Sequence, residues 1–320
     1  MKFIEKLCAA YGPLGNEEAV CHIIADELYN VCDSISTDVI GNLICEKKGG
    51  GKKIMLLCHT DEPALMVTHI EKDGFLRCAP VGGISLKNQI NRRVRLDNGT
   101  LGIVSVKKDE KNEPAWGEVF IDIGAADEKE AEEKVKIGSL FTLESGFIKT
   151  GKILSSKALS SRLGCFALCE AAKKIKSEND LYFVFASQSE VGSRGARCAA
   201  SRINPDIILE VGACLADDVP GEDGKIKLGG GPVISLMNKG VISSEWVTKL
   251  LYELTLGKPC QSFIGQESSS DAGAAALSGT GALWGALLIP VRYKGTDTEA
   301  ASYDDVLQTA DLIKAFIERA

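Results

Sequence analysis

Cys58-His59-Thr60-Asp61-Glu62 and Ser187-Gln188-Ser189-Glu190-Val191-Gly192 each place polar side chains directly after an apolar run, 53–57 and 181–186. An imidazole two residues before a carboxylate, at a strand end, lets the acid fix the tautomer and orientation of a metal-bound histidine. His59 is therefore a candidate ligand and Asp61 its orienting acid. Glu190 closes the second run, and Glu210 stands inside Ile207-Ile208-Leu209-Glu210-Val211. A carboxylate in such a run needs a partner, because burying it alone is costly; a metal or a buried arginine would serve. His59, Glu190 and Glu210 together make an N/O donor set suited to zinc, cobalt or manganese. The other histidines, His22 and His69, have no ligand-like company, and Cys165 and Cys169 lie a helical turn apart in a small apolar run that reads as core. Ser160, Ser189, Ser268, Ser269 and Ser270 would be nucleophiles only with a base in reach, for which His59 is the sole candidate.

Bringing segments so distant in sequence together is what an open α/β sheet does, since the carboxyl ends of neighbouring strands face one crevice. The pattern fits. Val20, Ile23, Ile24, Leu28 and Val31 repeat at helical spacing behind Asn16-Glu17-Glu18, and strands are expected over 42–46 and 53–58. From 63 to 147 the texture changes to short alternating stretches broken by Gly and Asn, with Asp97-Asn98-Gly99 as a hairpin signal and a short acidic helix over 125–135. From 149 onward, helices over 161–176, 242–254 and 304–318 alternate with strands over 181–186, 206–211 and 282–290. The expectation is an α/β domain in two pieces, 1–62 and 149–320, with a small β domain, 63–148, inserted between them.

Composition narrows the partners. The chain has 320 residues, 45% hydrophobic and 25% charged, with a formal net charge of −7 and basic residues scattered among acids. No nucleic-acid footprint or polybasic membrane face is expected, and no run approaches the ~18 apolar residues of a membrane helix. Peptides or small molecules are the expected partners. The odd count of 11 cysteines and a charged N-terminal stretch without an export pattern point to reduced thiols and the cytoplasm.

The order of several short motifs is more specific than any one of them. Gly15-Asn16-Glu17-Glu18, Asp38-Val39-Ile40-Gly41-Asn42-Leu43, the two motifs above, Lys157-Ala158-Leu159-Ser160-Ser161-Arg162-Leu163-Gly164, Asp218-Val219-Pro220-Gly221, Ser270-Asp271-Ala272-Gly273 and Pro290-Val291-Arg292-Tyr293 follow one another along the chain. In this the chain resembles the tetrahedral aminopeptidases of metallopeptidase clan MH, which include glutamyl and deblocking aminopeptidases and cellulase-like relatives. The resemblance implies a mixed sheet of the phosphorylase and zinc-aminopeptidase kind flanked by helices, with an inserted PDZ-like β-barrel through which copies dimerise, and assemblies up to dodecamers. It also implies two metals bridged by an aspartate, each with further His and acidic ligands, and a glutamate base just before the ligand Glu. His59, Asp61 and Glu190 match that set, and Glu210 stands where an Asp is usual. The bridging position is Ser160, the base position Ser189 and the second histidine position Gly295. A hydroxyl cannot bridge two cations, and serine has no useful basicity at neutral pH. The resemblance so modified implies at most one divalent metal, zinc or cobalt, or none. Two-metal hydrolysis would be lost or very weak, with a peptide-binding or assembly role remaining. The alternatives are an active enzyme using one metal or rearranged ligands, with Asp217 or Asp218 as a third ligand, and an assembly subunit pairing with an active relative.

Overall fold

A computed structural model describes residues 1–107, 114–239, 241–265 and 270–320. Residues 54–57 of strand β3 (Lys53–His59) are fully buried, as a central strand covered on both faces requires. Before it come helices α1 (Lys2–Ala9) and α2 (Glu18–Leu28) and strands β1 (Ser34–Thr37) and β2 (Leu43–Lys47). After it the chain leaves the main sheet. Strands β4 (Ala64–Ile70), β5 (Leu76–Val81), β6 (Arg93–Arg95), β7 (Leu101–Val106), β8 (Val119–Asp122) and β9 (Leu140–Leu143) close a barrel in the order β4-β5-β8-β7-β6-β9. Helix α3 (Glu128–Lys134), capped by Asp127, puts Ala131 into the barrel's own core beside Leu65, Val67, Leu76 and Phe141. The Asn98-Gly99 turn joins β6 to β7, with Gly99 at φ +86°.

The chain returns through β10 (Ile148–Thr150) and β11 (Ile153–Ser156) to α4 (Leu159–Ala172), β12 (Asp180–Ala186), α5 (Arg194–Ile203) and β13 (Ile207–Leu215). Then follow β14 (Val233–Asn238), β15 (Val241–Ile242), α6 (Glu245–Leu254), β16 (Gln261–Ile264), α7 (Asp271–Ala275), β17 (Leu283–Arg292), β18 (Glu299–Ser302) and α8 (Tyr303–Ile317). The main sheet has 12 strands in the path β1-β2-β12-β3-β13-β17-β18-β11-β10, with β14 beside β17 carrying β15 and β16. β12, β3, β13 and β17 run parallel at its centre, so their carboxyl ends share one edge. Apolar residues of α1, α2, α4, α6 and α8 cover one face and those of α5 and α7 the other.

Local packing reshapes two stretches. The glycine-punctuated stretch after Glu190 continues into helix α5. A Cβ at Gly195 would lie 2.3 Å from the Ser187 carbonyl oxygen, so the glycine there serves close approach of the helix to the turn. The helix expected over 242–254 starts only at Glu245, since Val241–Ile242 pair with β14.

Candidate functional site

His59 ends β3 level with Ala186 of β12, so the two sequence motifs emerge side by side. Asp61 ties them together. Fully buried, its carboxylate accepts the backbone N–H groups of Ser189 at 3.1 Å and Glu190 at 2.8 Å. His59 Nδ1 lies 3.1 Å from the Asp61 carbonyl oxygen and 3.5 Å from its carboxylate. Burial alone would lower the His59 imidazole. The Asp61 contact and the charges of Asp61, Asp271 and Glu190 outweigh it and raise it to about 10. Burial opposes the Asp61 charge, yet His59 and the two amides hold its carboxyl below the usual range.

The turn carrying Ser189 and Glu190 is held from outside. Gln188 is left-handed at φ 53°, and its N–H donates to the buried Glu17 carboxylate at 3.0 Å. Asn42 accepts the Ser187 N–H at 2.9 Å and donates to the Gly195 carbonyl at 3.0 Å. Beneath the turn, Lys157 Nζ binds both oxygens of Glu62 at 2.9 Å, and Arg162 reaches the same carboxylate at 3.1 Å. This triad is buried and fixes the end of the β3 motif to the start of α4.

Among the described residues, Glu299, Asp271, Glu210 and Glu190 each already accept an internal donor. Ser160 gives its N–H at 2.7 Å and its hydroxyl at 2.8 Å to buried Glu299, which also accepts the Gly295 N–H at 2.7 Å. Ser189 gives its hydroxyl to Asp271 at 2.5 Å. Ser270 gives its hydroxyl to Glu210, which also accepts the Ala272 N–H at 3.0 Å. Glu190 Oε2 accepts the Gly83 N–H, from the barrel, at 2.9 Å. Burial pushes Glu299 up, and burial followed by the Asp271 charge pushes Glu210 up.

This donor set does not fit a pair of metal ions. A bridging ligand must turn lone pairs toward two cations, and Ser160 instead turns its proton toward Glu299. Among the described residues, no three His, Cys, Asp or Glu side chains are grouped to hold a metal ion. Asp217 and Asp218, considered as substitute ligands, are engaged elsewhere. Asp217 accepts the Ile226 N–H at 2.7 Å, and Asp218 pairs with Arg292 at 2.5 and 2.7 Å. The hydroxyls of Ser160, Ser189 and Ser270 all donate to carboxylates, so none is set up for activation by His59. Ser268 and Ser269 lie outside the described residues. His22 and His69 are exposed, away from the site, and Cys165 and Cys169 are fully buried.

Sequence reasoning missed Glu299, Asp271 and Gly83. Glu299 carries the same signal as Glu210, an acid in a small apolar strand, Glu299-Ala300-Ala301-Ser302. Asp271 lies within a quoted motif, but its contact with Ser189 spans 82 residues.

The model of the M42 glutamyl aminopeptidases matches residues 41–312 of this chain. A putative aminopeptidase of Acetivibrio thermocellus is 38% identical over 316 residues, covering 97% of this chain and 96% of its own. Among solved structures, an aminopeptidase from the archaeon Desulfurococcus kamchatkensis superposes with a TM-score of 0.95 at 32% identity, over 100% of this chain and 94% of its own. A Pyrococcus horikoshii TET1 peptidase that can assemble into a tetrahedron or a large octahedral shell gives 0.89 at 28%, over 100% and 99%.

Proposed function

The chain belongs to the M42 glutamyl aminopeptidase family, and from that premise we propose that it keeps a peptide-binding crevice while two-metal hydrolysis is lost or reduced to a trace. The observation that carries the reading is the Ser160–Glu299 pair. The residue in the bridging position is neutral, and both its donors are committed to a buried carboxylate. Ser189, in the base position, likewise donates its hydroxyl to Asp271. A group that activates water needs a basicity near neutral pH, which an alcohol lacks. His59, Glu190 and Glu210 would then hold at most one zinc or cobalt ion, weakly.

The same acids suit a peptide amino terminus. Glu190, past the end of β12, and Glu210, within β13, offer carboxylate acceptors, and a protonated α-amino group makes charge-assisted bonds to such acceptors. Residues 63–148 would form the inserted domain through which copies pair, giving at least a dimer. Among the described residues no helix is long and apolar enough to cross a membrane, and the cytoplasm is the proposed location. Calorimetric titration with a short peptide, free or acetylated at its amino terminus, tests the binding role. The free peptide should bind roughly tenfold or more tighter, as expected for one charged hydrogen bond. Equal binding, or none by either, would remove it.

A further inference from the structure

One stretch of the barrel touches both sides of the crevice. After β5, Gly82 and Gly83 press against Glu190: the Gly83 N–H donates to Glu190 Oε2, and a Cβ on Gly82, at φ +87°, would lie 3.0 Å from Glu190 Cβ. Seven residues further, fully buried Gln89 donates through Nε2 to the Ser85 carbonyl at 3.2 Å and, across the crevice, to the Gly295 carbonyl at 3.1 Å. Arg92 then reaches Asp297 at 3.3 Å. Between these contacts, Leu86 is buried in the barrel core, so the stretch is anchored to the barrel as well. Gly295 in turn holds Glu299, and Glu299 holds Ser160. The stretch thus joins the Glu190 wall to the bridging and second-histidine positions.

The seam is also incompletely satisfied. Among the described residues, Gln89 Oε1 and Arg92 Nε are buried without a hydrogen-bond partner. Water would satisfy both once the seam parts, so opening recovers solvation that the closed state forgoes. The Gly83 and Gln89 contacts are single hydrogen bonds, and the Arg92 contact is a partly exposed ion pair of the kind that contributes little.

We propose that residues 82–92 form a latch, closed in this structure, whose contacts to Glu190, Gly295 and Asp297 open together and control entry to the crevice. The latch acts whether the crevice hydrolyses its ligand or only binds it. Hydrogen–deuterium exchange on the full chain tests it, read at the amides of Gly83, Ile84 and Gly295, with 54–57 of the central strand as the control. Gln89→Ala should speed exchange about tenfold or more at Gly83 and Ile84 and also at Gly295, and leave 54–57 unchanged. Asp297→Asn, made from the other side of the seam at a partly exposed position, should act in the same direction at both places. Acceleration confined to one side of the seam, or at neither, would overturn the proposal. If Gln89→Ala accelerates exchange everywhere, including 54–57, the Asp297→Asn result decides by the same criterion.

Discussion

Ser160 and Gly295 both direct N–H groups at Glu299, so on the proposed reading the positions of a bridge and a second histidine serve to hold one buried acid. Restoring only Ser189→Glu should therefore do little, since a base without an activated water has no proton to take. Ser160→Asp with Gly295→His should first restore zinc binding, measured by titration calorimetry. Among the described residues nothing lies within 4 Å of a Cβ at Gly295, but its φ of +80° is unfavourable for a side chain. A left-handed residue costs roughly 1–2 kcal/mol, so the double variant should melt below the unaltered chain without zinc and recover with it. Adding Ser189→Glu should then raise aminoacyl-anilide turnover by about 10²–10⁴-fold. Asp218 makes a separate case. Burial opposes its charge, but the Arg292 bond holds its carboxyl below the usual range, so the pair stabilises the fold at neutral pH and the benefit is lost as pH falls through the folded value. Asp218→Asn should lower stability near pH 7, and its difference from the unaltered chain should shrink below the ordinary Asp value of about 3.9, as followed by urea unfolding across pH.

Among the elements, α4 and the central strands set the precision of the site. Gly164 lets α4 lie against β13: a Cβ there would sit 2.4 Å from the Val211 carbonyl oxygen and 3.2 Å from Cys58 Cβ. Gly164→Ala should therefore cost about 1–3 kcal/mol, seen as a lower denaturation midpoint, and should disturb Ser160, on α4, and His59, which follows the contacted Cys58 on β3. How much could be read from sequence follows the same physics. The buried strands 53–58 and 181–186, the amphipathic α2 and α8 and the Asn98-Gly99 hairpin were legible because their pattern is local. The helix α5 was not, since Gly192 and Gly195 look like turn residues until the packing against Ser187 is known. His59, Asp61 and Glu190 were legible as polar residues at strand ends, and Glu210 as an acid inside an apolar run. Their partners Glu299 and Asp271 were not, because contacts such as Ser160 with Glu299, 139 residues apart, depend on sheet order.

For the whole molecule, the barrel is joined to the sheet at the crevice, and the same segment is the proposed pairing domain. Light scattering should find at least a dimer at micromolar concentration; a monomer throughout that range would remove the pairing role. Deleting 63–148 should lower the oligomeric state while the α/β part stays folded by circular dichroism. Loss of two-metal chemistry is read on the unaltered chain. Protein purified in zinc- or cobalt-supplemented buffer is analysed for metal content and assayed in parallel on aminoacyl-anilide substrates with and without chelator. The expected result is at most one weakly held metal per chain, lost with His59→Ala, and release of the amino-terminal residue barely above background. Two tightly held metals per chain with robust, chelator-sensitive turnover would contradict the account.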